Sequence, residues 1–529
     1  MKTLLQNALI IDGTGAKRFK GELLVDGSYI AALGTHLDCS PDQRIDAHGQ
    51  VICPGFIDTH SHTDLKILSN PYPSPKLRQG ITTEVYGQDG VSMAPLPEKY
   101  IEDWKKNLAG LDGSDNGIDW HYRNTDGYLS ALEARQISIN AAYLVPHGNI
   151  RLAVMGLTDR QPTAEELQAM KELLREELKA GAVGLSTGLI YIPCAYSKTQ
   201  ELIELCKTVA EFDGVFVVHQ RSEADEIIDS MNEILKIARE SGVRTHFSHF
   251  KACGKKSWGH IPQMLKLLDQ AKQEGLRISF DQYPYVAGST SLSVLLPPWV
   301  QVGGVDQMLA RITDENTVRQ IQKDIDAGGH GWDNFVDFAG WDRIFITFVE
   351  SQKNKGLIGK NLMEIAALWQ TDPLHATVRI LIEENNAVSM VDFYGLEEHV
   401  QTFLTRPEQN VCTDGILSGT PHPRVYGTCA RILEKYVRKE NVLTLEEAVY
   451  KLSYKGARVI GLADRGRLKT GNFADLVLFD PNTIAETGTF SAPCSHPEGI
   501  KLVMVNGVTV FDQDGEHHVP AGMVIRKKA

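Results

Sequence analysis

Five residues, far apart in the chain, are of types that hold metal ions, and each closes an apolar run. FIDTHSH carries His60 and His62 two positions apart. Alternate side chains of an extended backbone point the same way, so both imidazoles can grip one ion from one strand. His219 ends VFVVH, His249 ends RTHFSH, and Asp414 ends NVCTD just before a glycine. Taken singly, a histidine at a strand end is more often a hydrogen-bonded structural residue. Jointly, four imidazoles and a carboxylate suit Zn2+ and similar first-row ions, and a site with an open coordination position can activate water.

Such residues work together only if the intervening chain brings the strand ends to one place. TAEELQAMKELLREELKAG has apolar residues at helical spacing, stops at Gly181 and leads into AVGLSTGL. Three more helix–Gly–strand units follow, the last ending in LRISFDQYPY. This rhythm predicts βα repetition around a mainly parallel sheet, and its length suits an α/β fold of the (β/α)8 TIM-like barrel type over 57–464. In such barrels catalytic groups stand at the C-terminal strand ends, where all five residues fall. Residues 1–56 and 465–529 read as short strands and turns, including a final VPAGMVIRK, and the two ends are expected to share one small β domain. From about 300 to 345 two amphipathic helices and a Gly-rich tail interrupt the rhythm, predicting an inserted, lid-like segment over the barrel mouth.

Composition narrows the function. Of 529 residues, 67 are acidic and 54 basic, a net charge of −13, which leaves no basic footprint for nucleic acid. Eight dispersed cysteines lack metal-knuckle spacing and are too few for a disulfide scaffold. No apolar run approaches the ~18 residues of a membrane span, and the first residues read as strand and turn rather than leader. The expectation is a soluble cytoplasmic protein that acts on a small molecule, with its oligomeric state open.

The motifs carry a family likeness. GFIDTHSHTD, VVHQRSE, THFSHFK and CTDG, in this order, resemble the metal-dependent amidohydrolase superfamily. GITTEVYGQDGVSMAP, PHGNIRLAVMG, GLSTGLIYIPCAYS, FDQYPYVAGSTS, PHPRVYGT and HPEGIKLVMVNG are similar to its D-aminoacylase (N-acyl-D-amino-acid deacylase) branch. The resemblance spans nearly the whole chain. It implies a β-sandwich made by the two ends, His60, His62, His219 and His249 as metal ligands, and Asp414 as catalytic acid and base. Where the family typically has a ligating cysteine in a GNCG turn, this chain reads Gly87-Gln88-Asp89-Gly90. Asp89 is thereby expected as a ligand, a hard oxygen in place of a soft thiolate, shifting preference toward ions such as Mn2+ and suiting a bridge between two metals. The plainer reading of Asp89 is a turn residue before glycine; Cys194 and Cys253 are nearby alternatives as thiolates.

The implied cofactor is Zn2+, one or two ions, with Mn2+ or Co2+ as alternatives. Arg424 of HPR is expected to grip a substrate carboxylate, helped by Lys251, Tyr283 and Ser289, while the metal, His219 or Tyr191 stabilises the oxyanion. His147 is expected to be structural or to support a ligand, and His422 and His496 to serve turns or packing. The expected reaction is hydrolysis of the amide bond of N-acyl-D-amino acids. Cyclic-amide hydrolysis is the alternative, disfavoured because GAVGLSTGL offers no lysine for a carboxylated bridge. A dead barrel that only binds is disfavoured because every ligand and the base remain.

Overall fold

The computed structural model describes residues 1–113, 117–328 and 331–528. Eight parallel strands form the scaffold: β1 (Phe56–Asp58), β2 (Ile81–Tyr86), β3 (Asn140–Pro146), β4 (Gly184–Gly188), β5 (Val215–His219), β6 (Arg244–Phe247), β7 (Ile278–Gln282) and β8 (Gln409–Val411). Their spatial order follows their chain order, each strand pairing with the next, as in a singly wound barrel. Strands buried on both faces read as continuous apolar runs rather than alternations, as in VFVVH. The helix Ile227–Ser241 shows how the outer ring forms. Its Ile227, Met231, Ile234 and Ala238 recur at helical spacing and are buried, and left-handed Gly242 ends it.

β8 and β1 complete the circle without a regular ladder between them. Instead the amide of Thr413 donates to Asp58 (2.8 Å), that of Asp414 to the His60 carbonyl (2.8 Å), and Gly415–Ile416 pairs with Ser61–His62. Lys76, fully buried, pins this seam: its ammonium lies 2.7 Å from Asp58, 3.0 Å from Glu84 on β2 and 2.6 Å from the Thr413 hydroxyl.

The two ends of the chain interleave in one nine-stranded sheet, where Val51–Pro54 pairs antiparallel with Leu476–Phe479. What the pairing establishes is this shared sheet, closed over Leu5, Ile10, Leu23, Ile52, Leu476 and Leu478. The final VPAGMVIRK departs from the expected texture. It leaves the sheet and runs beneath the barrel, where Met523 O accepts from Ala141 N and Ile525 N donates to Ala141 O. Glycine permits this docking, since a Cβ on Gly522 would lie 2.1 Å from the Ile139 carbonyl, and Arg526 locks it through Asp126 (2.8 Å) and Glu133 (3.0 Å).

Between β7 and β8 the excursion extends beyond 300–345 on both sides. Ala287–Ser291, Val388–Phe393 and Ile344–Val349 form a separate antiparallel three-stranded sheet, packed with helices around its own apolar cluster. IFITFV and VSMVDF are as apolar as barrel strands, so their membership of a second sheet is decided by pairing rather than composition. Within the expected Gly-rich tail, Gly329 and His330 lie outside the described residues. No helix among the described residues is long and apolar enough to cross a membrane.

Candidate metal centre

His60 and His62 follow β1, Asp89 follows β2, His219 ends β5, His249 follows β6 and Asp414 follows β8. All six lie at the C-terminal rim, and all are buried. Asp89 (φ 54°), His249 (φ 34°) and Asp414 (φ 49°) hold left-handed backbones, a strain of about 1 kcal/mol or more each for non-glycine residues. Local bonds hold them there. His249 N donates to Asp281 (2.5 Å), Asp414 N is tied to His60, and the Gly87–Gly90 turn bearing Asp89 is fixed by Gly87 N donating to Asp64 (2.8 Å). Gly87 itself is obligatory: its φ is 78°, and a Cβ would lie 2.1 Å from the Leu144 carbonyl.

The side chains converge. Nε2 of His60 lies 3.3 Å from Nε2 of His62, 3.6 Å from Oδ2 of Asp89 and 3.6 Å from Oδ1 of Asp414. His62 is 3.5 Å from Asp89 and 3.3 Å from Asp414, and His219 Nδ1 lies 3.0 Å from His249 Nε2. The donor atoms form three overlapping sets, each within 4.8 Å: His60, His62 and Asp414; His60, Asp89 and His249; His219, Glu223 and His249. Neither Cys194 nor Cys253 joins a set.

The electrostatics call for a cation. Burial alone would lower the His62 pKa, yet hydrogen bonds to Asp414 and Asp89 hold it up at about 10. His249 is held near 9 against burial and Lys251, by Glu223 and Asp89. Burial carries His219, which lacks so close a carboxylate, down to about 4. Despite burial, Asp89 is held well below the usual carboxylate range by His60 and His249. Oδ1 of Asp89 and Nε2 of His219 have no hydrogen-bond partner although fully buried. Ring nitrogens and carboxylate oxygens facing one another, with buried acceptors that lack donors, fit a divalent ion bound by nitrogen and carboxylate oxygen once the imidazoles give up their protons to it.

A cavity opens beside this centre, with Tyr191, Lys251, Tyr283 and Ser289 in its lining. Arg424 is fully buried. Its Nη1 is 3.0 Å from Asp414, its Nη2 donates to the Ser289 carbonyl (3.1 Å), its guanidinium stacks on Tyr283 at 4.6 Å, and its Nε has no hydrogen-bond partner. Despite burial, this ion pair, with His60 next, holds Asp414 far below the ordinary carboxylate range. The Lys251 ammonium lies 2.7 Å from Glu223; Tyr283 shares a hydroxyl hydrogen bond with Tyr394 (2.7 Å); Tyr191 reaches Thr290 (2.9 Å) and sets its ring edge-on to His219.

Three histidines outside the centre serve local structure. His147 bonds Glu201 (2.7 Å) and Thr187 (2.9 Å). His422 donates to the Ala287 carbonyl (3.1 Å) and accepts from Arg424 N (2.9 Å), while His496 contacts Ser74 at 3.4 Å.

Sequence reasoning missed Glu223, although VVHQRSE places it four residues after His219. Its Oε1 sits 3.1 Å from His249 Nδ1, which the Lys251 ammonium also reaches at 2.8 Å, and its donor atoms group with those of His219 and His249. Asp333, Asp392 and Tyr394, which also line the cavity, were missed because they arrive on the insertion.

The sequence matches the model of the Amidohydrolase family over residues 43–331 and 409–511. It is 35% identical to N-acyl-D-glutamate deacylase of Alcaligenes xylosoxydans xylosoxydans, over 99% of this chain and 96% of that one, and 34% identical to D-aminoacylase of the same organism, over 99% and 98%. The crystal structure of N-acyl-D-glutamate deacylase from Bordetella bronchiseptica, complexed with zinc and a phosphonate inhibitor that mimics the tetrahedral intermediate, aligns with a TM-score of 0.84 at 34% identity, covering 99% of each chain.

Proposed function

The chain belongs to the amidohydrolase family, and we propose that it hydrolyses the amide bond of N-acyl-D-amino acids, releasing the D-amino acid and a carboxylate. One observation carries this reading: His60, His62, Asp89, His219, His249 and Asp414 meet in a cavity whose wall also holds Lys251 and, behind it, Arg424.

Asp89 with His60, His62, His219 and His249 would hold one or two divalent ions. Zn2+ is favoured by the zinc in the Bordetella relative, with Mn2+ or Co2+ as the alternatives that a carboxylate ligand admits. Such an ion, when bound, supplies Lewis acidity toward the scissile carbonyl and brings the pKa of water near 7.

Asp414 acts as general base toward the attacking water and then returns the proton to the departing nitrogen, which cannot leave as an amide anion. Arg424, through its planar fork, and Lys251 take the substrate carboxylate, with Tyr283 and Ser289 shaping that end of the cavity. Drawing Arg424 onto the substrate carboxylate removes the counter-ion that depresses Asp414, so a bound substrate strengthens its own base. The Tyr191 hydroxyl is placed to donate to the oxyanion, because burial holds its pKa well above 10 and keeps its proton on. All eight cysteines are free and six are buried, which fits a reducing compartment such as the cytoplasm.

The test is a hydrolysis screen of N-acetyl-D- and L-amino acids together with hydantoins and dihydropyrimidines, with Zn2+, Mn2+ and Co2+ added separately. Release of D-amino acid from the linear D-substrates is expected. Turnover confined to cyclic amides would overturn the reading.

A further inference from the structure

The cavity carries more negative charge than the proposed reaction uses. Five carboxylates line it: Asp89, Glu223, Asp333, Asp392 and Asp414. The cations at and behind its wall are engaged, Lys251 with Glu223 at 2.7 Å and Arg424 with Asp414 at 3.0 Å. Asp333 is satisfied as well, its two oxygens accepting from the Ser222 hydroxyl (2.6 Å) and the Glu223 amide (2.7 Å).

Asp392 differs from the other four. It is 2% exposed and lines the cavity, yet no other described residue donates a hydrogen bond to its carboxylate. A carboxylate taken out of water with only its own backbone amide as donor is costly, and a strongly perturbed acid in a cavity marks a candidate binding site. Burial pushes its carboxyl up to about 7, as expected of an acid without a close counter-ion. Opposite stands Gly288, where a Cβ would lie 3.1 Å from Oδ1 of Asp392, so glycine leaves the approach open. Tyr394 lies beside it, 3.2 Å from the same Cβ position, and Phe335 and Phe338 also line the cavity, adding aromatic rings of the kind that attract cations.

Asp392, Phe335, Phe338 and Tyr394 all fall within 332–408, between the two blocks matched by the family model. The ligands, Asp414 and Arg424 fall inside those blocks. This wall is therefore laid by the inserted segment onto a shared reaction centre, which is where substrate choice is set.

We propose that Asp392 binds a positively charged group of the substrate, so that the preferred N-acyl-D-amino acids carry an ammonium or guanidinium on the side chain or on the acyl group. The proposal rests on the deacylase reading above and adds the substrate class to it. It also sets this chain apart from a relative named for D-glutamate, whose side-chain carboxylate Asp392 would repel.

The experiment measures kcat/KM of the metal-loaded protein on Nα-acetyl-D-lysine against N-acetyl-D-norleucine and N-acetyl-D-glutamate, and on glycyl-D-leucine against N-acetyl-D-leucine. At least a tenfold advantage is expected for the cationic member of one pair. The lysine pair reports a side-chain cation and the glycyl pair an acyl-side cation, and Asp392→Asn should collapse the ratio toward one. Equal rates in both pairs, a preference for glutamate, or a ratio that survives Asp392→Asn would overturn the proposal; should that variant not fold, the wild-type ratios decide. Calorimetric binding of the same ligands to the Asp414→Asn protein separates the two readings. Cation-selective binding without any turnover in the wild type would sink the deacylase assignment and leave the subsite standing. Turnover without selectivity would do the reverse.

Discussion

At Asp414 the carboxylate stands 3.0 Å from Arg424 and 3.3 Å from His62, so two positive partners compete for the group proposed to move the proton. Asp414→Asn keeps the shape and removes the basicity. A fall in kcat of roughly 10²–10⁴ is expected with metal content retained, measured by steady-state kinetics and elemental analysis of the same preparation. Near-normal turnover would reassign the base. Asp89 makes a different demand, because its buried Oδ1 has no protein donor. Asp89→Ala should lower the bound metal, and Asp89→Cys should restore binding with a preference shifted toward Zn2+ over Mn2+. Unchanged occupancy and unchanged ion preference in both variants would leave Asp89 a turn residue.

Among the elements, the β8–β1 seam bears the heaviest load, since Asp414 and His60 sit on its two sides. Lys76 bridges Asp58 and Glu84 there at 2.7 and 3.0 Å, all three fully buried or nearly so. Lys76→Met leaves two buried carboxylates without their cation, a loss of about 3–5 kcal/mol. Denaturant unfolding should show it as a lowered midpoint, and an unchanged midpoint would mean that the seam is held otherwise. Little of this was visible beforehand. A lysine in SPKL looks like any solvated helix residue, and its burial follows only from the closure of a barrel whose first and last strands are hundreds of residues apart.

For the molecule as a whole, the acids gathered under the insertion set a pH dependence. The Asp392 carboxyl, at about 7 in the folded chain, stands above its unfolded value near 3.9. The native state thus keeps a proton that the unfolded state has lost. The stability this contributes is complete below about pH 4 and is lost as pH rises through 7. Asparagine has no proton to lose, so the Tm of Asp392→Asn minus that of the wild type should grow as pH is raised from about 4.5 to 8, read by thermal unfolding without ligand. A difference that is flat with pH would mean that Asp392 titrates as an exposed acid.

The sequence by itself determined the repeating helix–Gly–strand elements and the placing of His60, His62, His219, His249 and Asp414 at strand ends, because periodicity and terminators act over a few residues. It also carried the family motifs, Asp89 in its turn among them. Only the tertiary structure decided that Ile344–Val349 and Val388–Phe393 form a sheet of their own, that the last residues dock beneath the barrel, and that Glu223 meets His249 while Lys76 closes the seam. Asp392 belongs with these. A carboxylate's environment is set by what folds around it, and a strand such as VSMVDF has the same local pattern whether its aspartate meets water or a substrate.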